Sequence, residues 1–155
     1  MRNVRRPIAY ESLFKRFTET SHPDFGRPIF ATQREFLCFL AVLGFHTGDR
    51  TPVSAQTAEL DGRVFDTSEV AKDLMYSIAL AGTKEADILH PDREDAMVTV
   101  FEEYAATGFK VMDGWLIAQP DDHVGDQALL GGLRRDGFLG SIAAVGIGAL
   151  QDVEF

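Results

Sequence analysis

Two adjacent glutamates, Glu102 and Glu103, lie between aromatic residues in the stretch FEEYAATGF, residues 101–109. Paired carboxylates could act as a general acid and a general base if the two side chains converged. The apolar spacing around them predicts a helix, however, and neighbouring side chains on a helix diverge by roughly 100°. The pair is therefore predicted to form the exposed edge of a buried helix, with Phe101 and Tyr104 pointing inward.

An exposed acidic edge suits a partner protein better than a substrate. Glu102, Glu103 and the neighbouring acids would offer a basic partner a complementary surface, which affects association rate and register more than affinity. Residues 51–155 carry nineteen Asp and Glu against seven Lys and Arg, a balance of −12. We therefore predict that Glu102 and Glu103 belong to a partner-binding surface.

Basic residues are in excess at the other end of the chain. Residues 1–50 hold eight Lys and Arg against five Asp and Glu, a balance of +3 in a chain whose net charge is −9. Such a cluster could bind a phosphate backbone or an acidic protein face. The alternative is a solvated, frayed terminus. The candidate DNA-binding residues are Arg2, Arg5, Arg6, Lys15 and Arg16.

Most sequence patterns of catalysis and metal binding are missing. There is no phosphate-binding loop, no HExxH motif and no nucleophile elbow, and a single cysteine excludes zinc-finger spacing. HPD (90–92) and DDH (121–123) do place carboxylates beside an imidazole. We predict no catalytic residue, no metal and no cofactor, with a metal-dependent hydrolase or nuclease as an alternative. That alternative would use Asp92, Asp121, Asp122 or His123.

Length and composition are those of one cytosolic globular domain. A chain of 155 residues can bury one sizeable core, and 45% hydrophobic with 25% charged residues is ordinary. Cys38 is the only cysteine, so it forms no internal disulfide, and its apolar surroundings favour a small buried hydrophobic residue. The basic start lacks the apolar core of a signal peptide, and no apolar run could span a membrane. We expect a cytoplasmic protein without membrane contact.

Apolar periodicity predicts a mainly helical fold. The strongest helix begins at Thr32, which forms a capping box with Glu35, and ends before Gly48. It should be the central helix because it is apolar nearly all round. A second helix is predicted to end at Gly108, and residues 109–119 favour a further short helix over a hairpin. Other predicted helices cover residues 8–19 and 66–82.

One small β-hairpin is predicted in QTAELDGRVFD, residues 56–66. Its turn would be Asp61-Gly62, a pair favoured in two-residue hairpin turns. The fold class expected from the sequence is therefore mainly α. More fully, we expect a compact single-domain helical bundle of five or six helices with this one hairpin.

The amino-acid composition of the chain changes after residue 118. Residues 1–118 are predicted to form the helical core, whereas residues 119–155 are rich in glycine and small apolar residues. Gly140, Ala144 and Gly148 recur at four-residue spacing, a pattern that lets two helices approach closely. We expect this segment to pack either on the core or on a partner chain, so a homo-oligomer is an open expectation.

Four stretches of the chain resemble a known family in sequence and order. They are RPIAYESLFKRF, IFATQREFLCFLAVLGFHTGDRTPV, VFDTSEVAKDLMYSIALAGTKEADIL and VFEEYAATGFKVMDGWL, within residues 6–118. Together they resemble DNA phosphorothioation-associated protein 4, also called dnd system-associated protein 4. The most specific pieces are the block from Phe30 to Pro52 and FEEYA with its following glycine, and neither is a catalytic signature. The glycine-rich tail departs from the family pattern.

The resemblance implies an accessory role beside bacterial systems that modify DNA with sulfur and restrict unmodified DNA, a form of phage defence. It implies no defined active site. The predicted function is therefore an accessory or adaptor protein that contacts proteins of the modification and restriction machinery, with DNA as a second candidate partner. A DNA-binding module with a basic N-terminal arm and a metal-dependent hydrolase remain the alternatives.

Overall fold

The computed structural model describes residues 1–53 and 56–139, and these residues are mainly helical. This part of the chain contains six α-helices and one pair of antiparallel strands, which confirms the predicted fold class. The strands are β1 (Val4–Pro7) and β2 (Thr57–Leu60). The helices are α1 (Glu11–Thr18), α2 (Gln33–Thr47), α3 (Arg63–Asp66), α4 (Glu69–Thr83), α5 (Glu94–Ile117) and α6 (Asp126–Arg135). Short 3-10 turns cover Ile8–Tyr10, Ala86–Leu89 and Pro91–Arg93.

The core is built on the contact between α2 and α5, the most extensive between any two described elements. The two backbones meet at Gly44 and Gly108. A methyl group built at Gly44 would lie 1.9 Å from the carbonyl oxygen of Tyr104, and one at Gly108 would lie 2.0 Å from that of Leu40. Any larger residue would push the helices apart, so glycine at both positions sets their separation.

Aromatic side chains fill the space beside this crossing. Phe14 of α1, Phe36 of α2 and Phe109 of α5 are fully buried, and the ring centroids of each pair are 5.7 to 6.2 Å apart. The rings are tilted or edge-on to each other, as the aromatic quadrupole favours. This cluster joins α1 to both central helices.

Local signals at the ends of α2 act as predicted. Thr32 Oγ1 accepts the backbone N–H of Glu35, and the Glu35 carboxylate accepts that of Thr32, which completes the capping box. Gly48 follows the helix with a φ of +85°, a conformation that glycine adopts without a steric cost. The predicted end of α5 at Gly108 is wrong. The helix continues to Ile117, because Gly108 serves the crossing with α2.

The prediction that Asp61 and Gly62 form the turn of a β-hairpin is also wrong. Strand β2 pairs with β1 from the chain start, so that Val4 lies opposite Leu60, and the residues after the turn form α3. The Asp61 carboxylate accepts the backbone N–H of Arg63 at 2.9 Å, which forms an Asx-turn just before this helix. Asp-Gly therefore begins a helix here.

The described part of the C-terminal segment packs on the core. Gly132 of α6 lies against the indole ring of Trp115, so close that a methyl group there would be 2.0 Å from a ring carbon. Trp115 Nε1 donates to Asp136 Oδ2 at 2.9 Å. The stripe of Gly140, Ala144 and Gly148 lies outside the described residues. The boundary at residue 118 stays a prediction.

Replacing Gly108 with alanine should destabilise the protein by about 1–3 kcal/mol, because the added methyl group overpacks the α2–α5 crossing. Gly114 is the matched control on the same helix, since a methyl group there would meet nothing within 4 Å. Gly114→Ala should stabilise by roughly 0.5–1 kcal/mol through helix propensity. Urea unfolding followed by circular dichroism measures both. Equal effects of the two substitutions would contradict the crossing as the constraint.

Candidate functional site

The carboxylate of Glu102 is fully buried, so the prediction that this residue lies on an exposed edge is wrong. Arg2 donates to both of its oxygens, from Nη1 to Oε1 at 2.6 Å and from Nη2 to Oε2 at 3.0 Å. The backbone N–H of Arg5 donates to Oε1 at 2.7 Å, and Nη2 of Arg5 donates to Oε2 at 3.0 Å. A buried carboxylate needs such partners, because losing its hydration without them is costly. We call Arg2, Arg5 and Glu102 the Glu102 cluster.

The Glu102 cluster fixes the start of the chain to α5. Nη2 of Arg2 also donates to Thr99 Oγ1 at 3.0 Å, one helical turn before Glu102. The hydrogen bond to Glu102 raises the pKa of Arg2 above its usual value. The expectation of a frayed terminus is therefore wrong: residues 4–7 form β1, and the preceding arginine is bonded to α5.

Glu103 diverges from Glu102, as the helical spacing predicted. Its carboxylate accepts from Arg50, Nε at 2.6 Å and Nη2 at 2.5 Å, and its side chain is 19% exposed. The two carboxylates therefore have separate cationic partners and face different neighbours. They do not form an acid–base pair. Partner binding by Glu102 and Glu103 stays a prediction, and the buried position of Glu102 leaves Glu103 as the accessible one of the two.

The other predicted basic residues lie around α1. Arg6 is buried, with its guanidinium 3.8 Å from the centre of the Phe14 ring, and it donates to Glu11. Lys15 Nζ lies 3.9 Å from the same glutamate. The hydrogen bond from Arg6 lowers the pKa of Glu11. Arg16 instead donates to the backbone carbonyl of Asp122 at 3.3 Å.

The five candidate DNA-binding residues thus belong to three separate contacts. Two of them bind Glu102, two lie at Glu11, and Arg16 reaches the loop before α6. Arg5 and Lys15 keep the most exposure, 42% and 56% of their side chains. DNA binding by Arg2, Arg5, Arg6, Lys15 and Arg16 stays a prediction.

The surface beside the Glu102 cluster is poorly suited to a phosphate. The guanidiniums of Arg2 and Arg5 face three carboxylates: Glu102, Asp95 at 3.9 Å from Arg2, and Glu59. The local charge is negative, so an added anion would be repelled. A shallow cavity of about 460 Å³ is present there. It is lined by Arg2, Asn3, Arg5, Glu59 and Thr99.

Of the acids of the hydrolase alternative, Asp122 has a structural contact, whereas Asp121 and Asp92 are exposed. Asp122 accepts the backbone N–H groups of Gly125 and Ala128, both at 2.8 Å, which caps the start of α6. His123 is exposed on the same loop, and Asp92 lies in the distant turn before α5. Among residues 1–53 and 56–139, no group of three or more His, Cys, Asp or Glu side chains is placed to hold a metal ion.

His22 has a partner far away in the sequence, Asp126. Its ring is buried, with Nε2 2.9 Å from Asp126 Oδ2 and a stacked contact with Phe25 at 4.0 Å between centroids. The hydrogen bond from His22 lowers the pKa of Asp126. The contact joins the loop after α1 to α6. The two residues are about a hundred positions apart, so no local pattern could have revealed it.

Cys38 is partly buried and packs against the hydrophobic core. Burial raises the pKa of the Cys38 thiol to about 11, which keeps it protonated and packed as an apolar side chain.

None of the described helices has the length and apolar content that a membrane crossing needs.

Acidic residues dominate the stretch from α3 to the start of α5. Residues 66–95 contain eight Asp and Glu and three Lys and Arg, a balance of −5. One of those cations, Arg93, is bonded to Asp87 at 3.0 Å. We call the exposed acids of this stretch the acidic surface. They are Asp66, Glu69, Asp73, Glu85, Asp87, Asp92 and Asp95.

Fold and site together define a class: a small, mainly helical protein whose N-terminal cations are bound internally and whose described surface carries an acidic region. The chain belongs to the family of DNA sulphur modification system-associated protein 4, whose family model matches residues 3–132. The resemblance inferred from the sequence is thereby confirmed. Neither the comparison with curated proteins nor that with solved structures found a match.

Replacing Glu102 with glutamine should destabilise the protein by about 2 kcal/mol, because it removes the buried counter-charge that the two guanidiniums share. Breaking a fully buried pair costs roughly 3–5 kcal/mol, and partial exposure of Arg2 and Arg5 reduces the effect. Glu103→Gln, one position along, should cost less than about 1 kcal/mol because its pair with Arg50 is near the surface. Urea unfolding at low salt compares the two. A larger loss for Glu103→Gln would refute the cluster's role.

The Arg6–Glu11 pair should make stability depend on acid pH. The folded-state pKa of Glu11 lies below its ordinary value of 4.5, so the pair stabilises above that pH. The contribution is lost as pH falls through the lowered pKa. The stability difference between wild type and Glu11→Gln should therefore be present at about pH 7 and vanish at about pH 2. Urea unfolding at both pH values measures it, with the exposed Glu19→Gln as control. A difference that persists in acid would contradict this assignment.

Proposed function

We propose that this protein is an accessory protein of a bacterial DNA sulphur modification and restriction system, a form of phage defence, and that it acts by binding other proteins of that machinery. Family membership supports the association with the system. The contacts of the arginines in the Glu102 cluster support the choice of protein binding over DNA binding.

The main observation behind this proposal is that Arg2 and Arg5 form ion pairs with the buried carboxylate of Glu102. Phosphate contacts by Lys and Arg supply most of the affinity in sequence-independent DNA binding. Arg2 and Arg5 already share their charge with Glu102, and moving either of them fully onto a phosphate would leave a buried carboxylate short of partners, which is costly. DNA binding by an arm made of these residues would therefore lower the stability of the folded protein.

The acidic surface supports a protein partner with a basic face. A region of one sign repels the DNA backbone and accelerates encounter with an oppositely charged protein. Its acids are mostly well exposed, as with Asp92 at 88% and Asp95 at 79%. Such rim charges affect the association rate more than the dissociation rate.

Direct DNA contact is the second candidate, favoured by one observation. The side chains of Lys15 and Arg5 are 56% and 42% exposed, and neither is enclosed by its ion pair. A phosphate could approach Lys15 without disturbing the Glu102 cluster. The test below includes this possibility.

Full-length protein should form a complex with at least one protein of the DNA sulphur modification machinery, measured by titration calorimetry and light scattering. Binding should weaken with salt because screening reduces the attraction of exposed charges. Charge reversal by Asp92→Lys with Asp95→Lys should slow association about tenfold. Glu19→Lys, an exposed acid beyond the end of α1, is the matched control and should change the rate little. Light scattering of the protein alone tests the predicted homo-oligomer.

The same protein is titrated against duplex DNA with and without phosphorothioate across a salt series. We expect no binding at about 0.15 M salt. DNA binding with a steep salt slope that Lys15→Glu reduces would overturn the protein-binding proposal and support the DNA-binding module. Absence of a complex with every protein of the machinery would also overturn it.

A further inference from the structure

A groove with both apolar and polar lining lies between α4, the two 3-10 turns that precede α5, and the start of α5. Its volume is about 210 Å³. Ile88 and Met97 form its floor and are almost fully buried, at 4% and 1% exposure. Tyr76 and Leu89 form its walls and stay 39% and 41% exposed. Pro91, His90 and Glu94 complete the lining.

The exposed apolar surface extends along α4. Leu80 lies one helical turn after Tyr76, on the same face, and is 39% exposed. Single exposed apolar side chains are normal on a protein surface. Tyr76, Leu80 and Leu89 form a larger group whose concave part has a buried floor, and such patches mark interaction sites.

Acidic groups surround this apolar surface. Glu94 lines the groove itself, with 43% of its side chain exposed, and its Oε1 lies 3.9 Å from the N-terminal ammonium of Met1. Asp73 lies one turn before Tyr76 on α4, and Asp92 follows Pro91 in the adjoining turn with 88% exposure. The nearby Arg93 is directed to Asp87. The groove therefore has an apolar floor, with polar and acidic groups around its edge.

We propose that this groove binds a short segment of a partner protein in which one bulky aliphatic side chain is flanked by lysine or arginine. The proposal rests on the proposed function and specifies the partner's chemistry. The volume is below the roughly 300–1,000 Å³ of ordinary small-molecule pockets and suits one side chain of leucine, isoleucine or methionine size. Charge complementarity selects the flanking residues, because acids at the edge attract lysine and arginine.

The two parts of the motif have separate physical roles. The aliphatic side chain leaves water for a site whose floor is already apolar, which supplies most of the affinity. The basic residues pair with exposed carboxylates, which favours encounter and orientation and weakens with salt. Neither part alone should bind well, so each can be tested by changing one part of a peptide.

Three synthetic peptides of roughly twelve residues, a length typical of groove-binding motifs, provide the probes. The first carries a central leucine flanked by lysine and arginine, the second replaces leucine with alanine, and the third replaces the basic residues with glutamate. Nitrogen-15-labelled full-length protein is titrated with each. The first peptide should shift the amide signals of residues 86–97 and bind at least about tenfold more tightly than the other two.

Leu89→Ser should weaken binding of the first peptide about tenfold, because it removes one wall of the groove. Val70→Ser is the control for loss of an exposed apolar side chain: Val70 lies on α4, is 80% exposed and does not line the groove. Circular dichroism checks that both variants fold. Should Leu89→Ser fail to fold, Asp92→Lys at its 88% exposed position tests the rim and should weaken binding about fivefold.

The groove proposal is overturned if the first peptide leaves residues 86–97 unshifted, or if Leu89→Ser binds it as well as wild type does. It is also overturned if the protein self-associates through this surface and Leu89→Ser abolishes that association, since a second copy would then be the occupant. A machinery complex that forms unchanged with Leu89→Ser contradicts the groove alone and leaves the adaptor function standing. Peptide binding as expected without any machinery complex contradicts the adaptor function alone.

Discussion

The close approach of α2 and α5 at Gly44 and Gly108 is the contact on which the rest of the structure depends. Because both residues are glycine and have no side chain, the two backbones come so close that carbonyl oxygens of the opposite helix occupy the space a side chain would need. Phe14, Phe36 and Phe109 then fill the adjoining volume and bring α1 onto the pair. Because interiors are close-packed, a wider crossing would disturb this aromatic cluster.

Helix α5 contacts a different part of the protein at each of several positions along its length. These contacts explain both its length and its composition. Gly108 meets α2, Glu102 accepts from the N-terminal arginines, and Trp115 supports α6. A helix that packs against several different elements needs side chains of several kinds, and here they include the buried charge of Glu102. Glu102 is therefore matched by arginines that lie early in the chain, where β1 also pairs with β2.

Internal pairing divides the charges of the protein into two groups. Cations near the N-terminus are largely held by carboxylates, at Glu102 and at Glu11, while many acids between α3 and α5 face solvent. These exposed acids, of which Asp66, Asp87 and Asp95 have cationic partners of their own, therefore contribute more to the surface charge than the basic residues near the N-terminus. In the proposed role of an accessory protein that binds other proteins, these acids would attract a basic partner, and the groove beside them would hold one side chain of that partner.

The sequence by itself determined what depends on neighbours along the chain. The mainly helical class, the capping box of Thr32, the glycine that ends α2 and the divergence of Glu102 from Glu103 all follow from local geometry. Only the tertiary structure decided what depends on distant residues: the pairing of β1 with β2, the continuation of α5 through Gly108 and the burial of Glu102. A glycine that ends a helix and one that admits a neighbouring helix look alike in sequence, as do a solvated glutamate and one that is matched by distant arginines.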